Sequence, residues 1–367
     1  MINKIYFIIA LFLCYSCTSN PKKICIEDAP LMINIIPEQD TLVLSSIFKS
    51  CKKIEISNKY LTNIVNVELI DSNIVIQSRS ENGDIHVFDK RGNFIRSLVR
   101  YGRGPGEVLN IQSMCYNKYL KTIDILCDFG MCIYQCSIDG SRTKKITLPK
   151  KTIFSVNDIE IVDNNKYILY KTWGNLDCQE YKLYIYDYNK NIILNHYIPF
   201  IRDREEKISI GQKNNLYINK GMIYFYETFQ NGIYEYDGEN IVPKVGFKKN
   251  SYTYPVRTID KIKSDRELIK NCIESPYIWA HINCIQNSNK IYSFFTYKKE
   301  VYFNIIFLNE GRSKTYKYIH DDLLTNKTFS ASMFNVINSS KEKLICNFWS
   351  SDIVDDSKSY ILIYDDK

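Results

Sequence analysis

The chain has 367 residues, 45% hydrophobic and 24% charged, which is a globular composition and excludes a disordered or fibrous chain. Its net charge of +7 is spread without a Lys/Arg block, which argues against a nucleic-acid binder. The 29 Tyr and 18 Phe point to β-structure, where aromatic side chains suit a pleated, half-buried surface.

The first residues read as a targeting segment. Lys4 supplies a positive start, and Ile5 to Leu13 form a nine-residue apolar run. That run is too short to span a bilayer, which takes about 20 residues, and fits a secretory signal. Ser16 directly before Cys17 predicts lipoprotein processing. The expected organisation is a signal peptide over 1–16, a lipidated Cys17 with a tether over 17–30, and a folded domain over 31–367. The N-terminal lipid would hold the chain in a bacterial cell envelope, at the outer membrane, facing the periplasm or the exterior. Without Cys14 and Cys17, ten cysteines are left, with no C-x-x-C pair and no regular framework; for Cys127, Cys132 and Cys136, free or partly bridged thiols are expected rather than a zinc site.

An aromatic or apolar strand ending in Asp or Asn, followed by a tight turn, then recurs six times. The markers are Asp89, Asp139, Asp187, Asp237, Asn309 and Asp365, spaced 50, 48, 50, 72 and 56 residues apart. The long gap holds 257–275, whose Ile259, Ile262, Leu268, Ile269 and Ile273 have helical spacing. Each marker strand has two strand-like runs before it, and five have one after it. Units of four antiparallel strands repeating at this period predict an all-β, six-bladed β-propeller with one short helical insertion. The last unit stops after its third strand, so the segment 52–57 is expected to close the ring as the missing outer strand.

The stretch from Val87 to Leu98, followed by Gly102-Arg103-Gly104-Pro105-Gly106-Glu107, resembles the first-blade signature of a bacterial family of six-bladed β-propeller lipoproteins with an NHL-like layout. The close match covers 86–108. The resemblance implies fold and address, and little chemistry.

In such a blade the loop from second to third strand and the loop to the next blade share one face. Candidate ligand-facing residues there are Arg79, Arg100, Tyr101, Arg103, Glu107, Trp173, Trp279, His281 and Trp349. The aromatic members could stack on a sugar or peptide, or simply pack between blades. The Gly-rich loop lacks the Lys-Ser/Thr of a phosphate loop, so it reads as a backbone shape in which Arg103 and Glu107 pair locally. Asp158, Glu160, Asp352, Asp355 and Asp356 are carboxylates without calcium-loop spacing and are expected on a solvated surface. No catalytic residue, metal or cofactor site is read. The expected function is a membrane-anchored binding or interaction module for an envelope protein, peptide or glycan, monomeric and without nucleic acid. The alternative is a propeller enzyme, a metal-assisted hydrolase or lyase working at the channel.

Overall fold

A computed structural model describes residues 24–57, 61, 64–78, 84–104, 107–149, 155–172, 180–200, 215–226, 231–255, 265–340, 342–348 and 359–367. The signal segment and Cys17 lie outside these residues.

The strands are built from runs that are apolar on both sides. Thr122–Cys127 and Cys132–Ser137 are buried at every position. Alternate side chains serve opposite seams: Ile123, Ile125 and Cys127 pack toward the preceding sheet, and Leu126 packs toward the following one. A strand covered on both faces has no polar side to show, which is why these runs read as continuous apolar and aromatic stretches.

In chain order, the first blade pairs Ile64–Ile70, Asn73–Ser78, Asp84–Asp89 and Phe94–Tyr101, with Glu107–Val108 added in parallel. The second holds Ser113–Asn117, Thr122–Cys127, Cys132–Ser137 and Thr143–Thr147. The third holds Asp158–Asp163, Lys166–Tyr170, Tyr181–Asp187 and Ile192–Pro199. The fourth holds Leu216–Asn219, Met222–Tyr226, Gly232–Tyr236 and Ile241–Phe247, with Leu31–Ile33 added in parallel at its outer edge. The fifth holds Trp279–Asn287, Lys290–Tyr297, Glu300–Phe307 and Arg312–Tyr316. The sixth has three strands, Thr41–Val43, Tyr318–Asp321 and Lys327–Ser330. The seventh holds Phe334–Ser340, Lys343–Phe348 and Ser359–Asp366 and is completed by Phe48–Ile56.

The propeller therefore has seven blades, which corrects the six expected from the repeat. The added blade is the three-stranded sixth, lying between the last strand of the fifth and the first strand of the seventh. Its strands are three or four residues long and carry no marker. One of them comes from the far N-terminal side of the chain and pairs in parallel, Leu42 opposite Ile319. Local periodicity cannot register such a unit.

The N-terminal segment works as an outer strap. Ile26 to Asp28 form a single 3-10 turn, and Glu27 pairs with Lys249 at 2.8 Å. Ile24 and Ile26 pack on the fourth blade. Farther along, the Thr315 hydroxyl donates to the Ile36 carbonyl at 2.6 Å, and the Glu38 amide donates back to Thr315 at 2.8 Å. The strap then feeds Thr41–Val43 into the sixth blade and Phe48–Ile56 into the seventh. The closing strand pairs antiparallel with the chain's tail, Ile54 opposite Ile361 and Cys51 opposite Tyr364, so 52–57 falls where the sequence places it.

Of the insertion 257–275, the described part is a helix, Asp265–Glu274. It buries Leu268 and Cys272, one turn apart, and leaves Ile269 and Ile273 exposed.

Candidate functional site

The innermost strands converge on a central channel with a cavity of about 500 Å³, lined by residues from every four-stranded blade and none from the three-stranded sixth. Polar side chains stitch these strands together around the axis. Asn66 donates to the Met114 carbonyl at 3.1 Å, joining the first blade to the second. Asn338 donates to the Val67 carbonyl at 3.0 Å, joining the seventh to the first. Ser339 donates to the Gln286 carbonyl at 2.9 Å, joining the seventh to the fifth. Asp158 is the hub of the third blade: it accepts from the Ser113 hydroxyl of the second and, at 3.0 Å, from the Leu216 amide of the fourth. These bonds satisfy groups that a narrow interior would otherwise leave unpaired.

Two carboxylates are not used up in this stitching. Glu68 accepts one bond, from Asn338 at 3.3 Å, and Glu160 accepts the neighbouring Ile161 amide at 2.9 Å. Neither joins an ion pair among the described residues. Burial is the main cause that pushes Glu68 up to about 7, and the Asn338 amide opposes it. Burial pushes Asp158 up to about 6 against the bonds it accepts. Glu160 is raised well above the usual carboxylate range, by burial first and then by the negative charges of Glu68, Asp158 and Asp124. Asp158 is buried outright, and the partial exposure of Glu68 and Glu160 is at residues that line the channel, so burial governs the titration of all three.

This arrangement fixes a pH dependence. Native carboxylates with raised values hold protons that the unfolded chain has already released, between about pH 4.5 and 7. Stability therefore falls as pH rises through that window. The unfolding midpoint is expected to be higher at pH 5 than at pH 8. Glu68→Gln, which keeps the acceptor for Asn338, should stabilise at pH 8 by about 1–2 kcal/mol after allowance for solvent screening. Urea unfolding at the two pH values checks this; an unchanged or steeper pH slope in the variant contradicts it.

The cavity reaches Asp71, Lys118, Lys220 and Gly221, which lie in turns joining the first to the second strand of their blades. That is the face opposite to the loops expected to carry the ligand, because successive antiparallel turns leave a sheet at alternate ends. Of the sequence-predicted residues that are described, Arg100, Tyr101, Arg103, Glu107 and Trp279, none lines the cavity. Arg79, Trp173 and Trp349 lie outside the described residues, as does the side chain of His281. Arg100, Tyr101 and Arg103 are exposed together at the end of the first blade. Glu107 accepts the Gly104 amide at 2.8 Å and forms no ion pair with Arg103. Its carboxylate fills the space beside Gly102, where a Cβ would stand 1.9 Å from Oε2; that side chain can swing aside, so it is the φ of +155° that favours glycine there. Trp279 is 8% exposed and belongs to the packed interior.

Asp158 and Glu160, expected on a solvated surface, stand in the channel; Asp352, Asp355 and Asp356 lie outside the described residues. Glu68 and Asn338 are channel residues that sequence reasoning missed. The signal for Glu68 is positional: Asn66-Val67-Glu68 and Asp158-Ile159-Glu160 sit alike in the innermost strands of the first and third blades. Nine described cysteines are free. Burial pushes Cys127 up to about 12 and Cys51, Cys136 and Cys272 up to about 11, which leaves unreactive thiols. Among the described residues no group of three or more His, Cys, Asp or Glu side chains could hold a metal ion, and no helix is long and apolar enough to cross a membrane.

Blades, closing strand and polar channel together define a β-propeller. The sequence matches the domain of unknown function DUF4934 over residues 30–367, and the chain belongs to that family. Among solved structures, a Bacteroides fragilis protein described as exported is similar, with 15% identity, a TM-score of 0.72, and coverage of 90% of this chain and 98% of that one. A YCF48 structure bound to a D1 peptide aligns at 12% identity and a TM-score of 0.45, over 90% of this chain and 99% of that one. A streptogramin B lyase aligns at 12% identity and a TM-score of 0.44, over 87% and 88%. No curated protein matches the sequence.

Proposed function

We propose that the protein is an extracytoplasmic binding module, lipid-anchored through Cys17, that takes a cationic, hydrogen-bonding group of a peptide into the open end of its channel. The observation that carries this reading is the pair Glu68 and Glu160: deep, near enough for the charge of Glu68 to raise Glu160, and left with spare acceptor oxygens in a cavity of about 500 Å³. An ammonium group would relieve the burial and repulsion that hold these acids up, so its binding is favoured where they ionise. The address is supported by the charged, apolar and Ser16-Cys17 elements of the first residues. It is supported also by a protein of like fold that is described as exported.

The test is calorimetric titration with the peptide Gly-Lys-Gly and its acetyl-lysine counterpart, on the protein and on a Glu68→Gln/Glu160→Gln variant. The lysine peptide is expected to bind saturably, more tightly at pH 8 than at pH 5.5, and the double variant to weaken it about tenfold or more. Equal binding of the acetylated peptide, or none by either, rejects the channel as a cation site. Cys17→Ser should abolish palmitate labelling; persistent labelling rejects the anchor.

A further inference from the structure

A second cavity, of about 350 Å³, lies in the cleft between the first and second blades. Three cationic side chains line it, Arg96, Lys121 and Arg142, against one carboxylate, Asp139. That carboxylate is engaged elsewhere: its Oδ1 accepts the Ser137 hydroxyl at 2.6 Å, the Ser141 hydroxyl at 2.7 Å and the Ser141 amide at 3.0 Å. These bonds, the Ser137 hydroxyl first, hold Asp139 well below the usual carboxylate range. Arg96 donates through Nη1 to the main-chain carbonyl of Asp139 instead, which fixes the guanidinium and leaves its remaining N–H groups unspent. No ion pair among the described residues uses Arg96, Lys121 or Arg142. The cleft therefore keeps a surplus of positive charge.

The backbone arranges this surplus. In a regular strand, consecutive side chains point to opposite faces, yet Ile95 and Arg96 both line the cleft. A bulge makes this possible: Val87 pairs with Arg96 and Phe88 with Phe94, so Ile95 is an extra residue. Lys121 holds a φ of +55°, in the left-handed region a lysine seldom adopts. Its turn is pinned where Asn117 Oδ1 accepts the amides of Tyr119 and Leu120, each at 3.1 Å. Val87, Ile95 and Ile138 supply an apolar wall beside the cations.

We propose that this cleft binds a small amphiphilic anion, a phosphate or sulfate ester of an aryl or alkyl group, with Arg96, Lys121 and Arg142 holding the head and Ile95 and Ile138 the apolar body. Guanidinium groups suit such heads because their planar forks match two oxygens at once. The site stands apart from the channel and does not depend on the reading of Glu68 and Glu160.

The experiment is titration of the folded protein with phenyl phosphate, phenyl sulfate and inorganic phosphate, followed by calorimetry and by amide shifts. At least one ester is expected to bind saturably and about tenfold more tightly than inorganic phosphate. Arg96→Ala and Arg142→Ala should each weaken the ester about tenfold, and Ile95→Ser should narrow the gap between ester and inorganic phosphate. These positions are exposed, so the variants should keep the wild-type melting temperature. Glu68→Gln should leave ester binding unchanged. Absence of saturable ester binding, indifference to the arginine variants, parity with inorganic phosphate, or loss of binding in Glu68→Gln would each overturn the assignment.

Discussion

Deleting Phe48–Ile56 is expected to abolish cooperative folding of the entire propeller, not to trim one edge. The strand runs antiparallel along Ser359–Asp366, from Ser359 opposite Ile56 to Asp366 opposite Phe48. Without it, the tail strand is a raw edge. Two seams open at once. Phe48 is fully buried against Tyr292 and Tyr364, with ring centroids 6.0 and 4.9 Å away, in the core shared by the fifth, sixth and seventh blades. Ile54 and Ile56 face the other way, into the core shared with the first blade. Losing three such side chains removes about 5–9 kcal/mol at about 1.5–3 kcal/mol each, comparable to the whole stability of an ordinary domain. The strand also braces the first blade's turn. A Cβ on Gly92, at φ +92°, would lie 1.9 Å from the Glu55 carbonyl oxygen, and the Ser57 amide donates to the Gly92 carbonyl at 3.0 Å. Circular dichroism melting and size exclusion should show a deletion protein without a cooperative transition. Phe48→Ala should fold but lose about 3–5 kcal/mol. A deletion protein melting as one unit near the wild-type midpoint contradicts ring closure as the source of cooperativity.

Much of this fold is legible in the sequence because each full blade repeats one physical problem. A strand with neighbours on both faces must be apolar throughout and must end in a residue that turns, and Asp89, Asp187 and Asp237 do so by accepting amides two or three residues on. The closing strand is legible for the complementary reason: Ser359–Asp366 is the third strand of its blade, and Phe48–Ile56 is the strand-like run that pairs along its open edge. The sixth blade escapes because Thr41–Val43, Tyr318–Asp321 and Lys327–Ser330 are too short for periodicity, and its third strand, Thr41–Val43, joins the local hairpin of the other two only by long-range pairing.

The channel is legible in part. Asp158 and Glu160 stand out as acids, but nothing local separates an inward carboxylate from a surface one. Only the matching position of Glu68 and Glu160 in two innermost strands tells them apart, and that comparison needs the strand order of the blades. The predicted ligand face rests on conspicuous residue types, Trp and Arg in loops. The cavity, among the described residues, is lined mostly by ordinary strand residues, which only their convergence sets apart. For the same reason the cationic cleft has no sequence motif: Arg96, Lys121 and Arg142 come from two blades and meet only because a bulge at Ile95 turns one of them.

Lys290→Ala is expected to cost about 3–5 kcal/mol, far more than a surface lysine would. Lys290 opens the second strand of the fifth blade, and its ammonium lies 2.6 Å from Asp366 Oδ1 with both side chains less than a tenth exposed. The same ammonium donates to the Lys367 carbonyl at 3.2 Å, and the Tyr292 hydroxyl donates to Asp366 at 3.1 Å. These contacts tie the last residues of the chain across a blade seam, just where the Lys367 amide bonds the Ile47 carbonyl at 3.0 Å at the start of the closing strand. Removing the lysine leaves a buried carboxylate with hydrogen bonds but no countercharge. A Lys290→Met/Asp366→Leu protein removes both charges and fills their volume. It should therefore recover most of the loss, since the attraction in such a pair largely offsets the cost of desolvating it. Urea midpoints for the single and double variants complete the cycle. A Lys290→Ala loss below about 1 kcal/mol would show that the pair is solvated and plays no part in holding the ring shut. If the double variant is as unstable as the single one, the lysine acts through its donation to Lys367, and the tail rather than the charge pair is the latch.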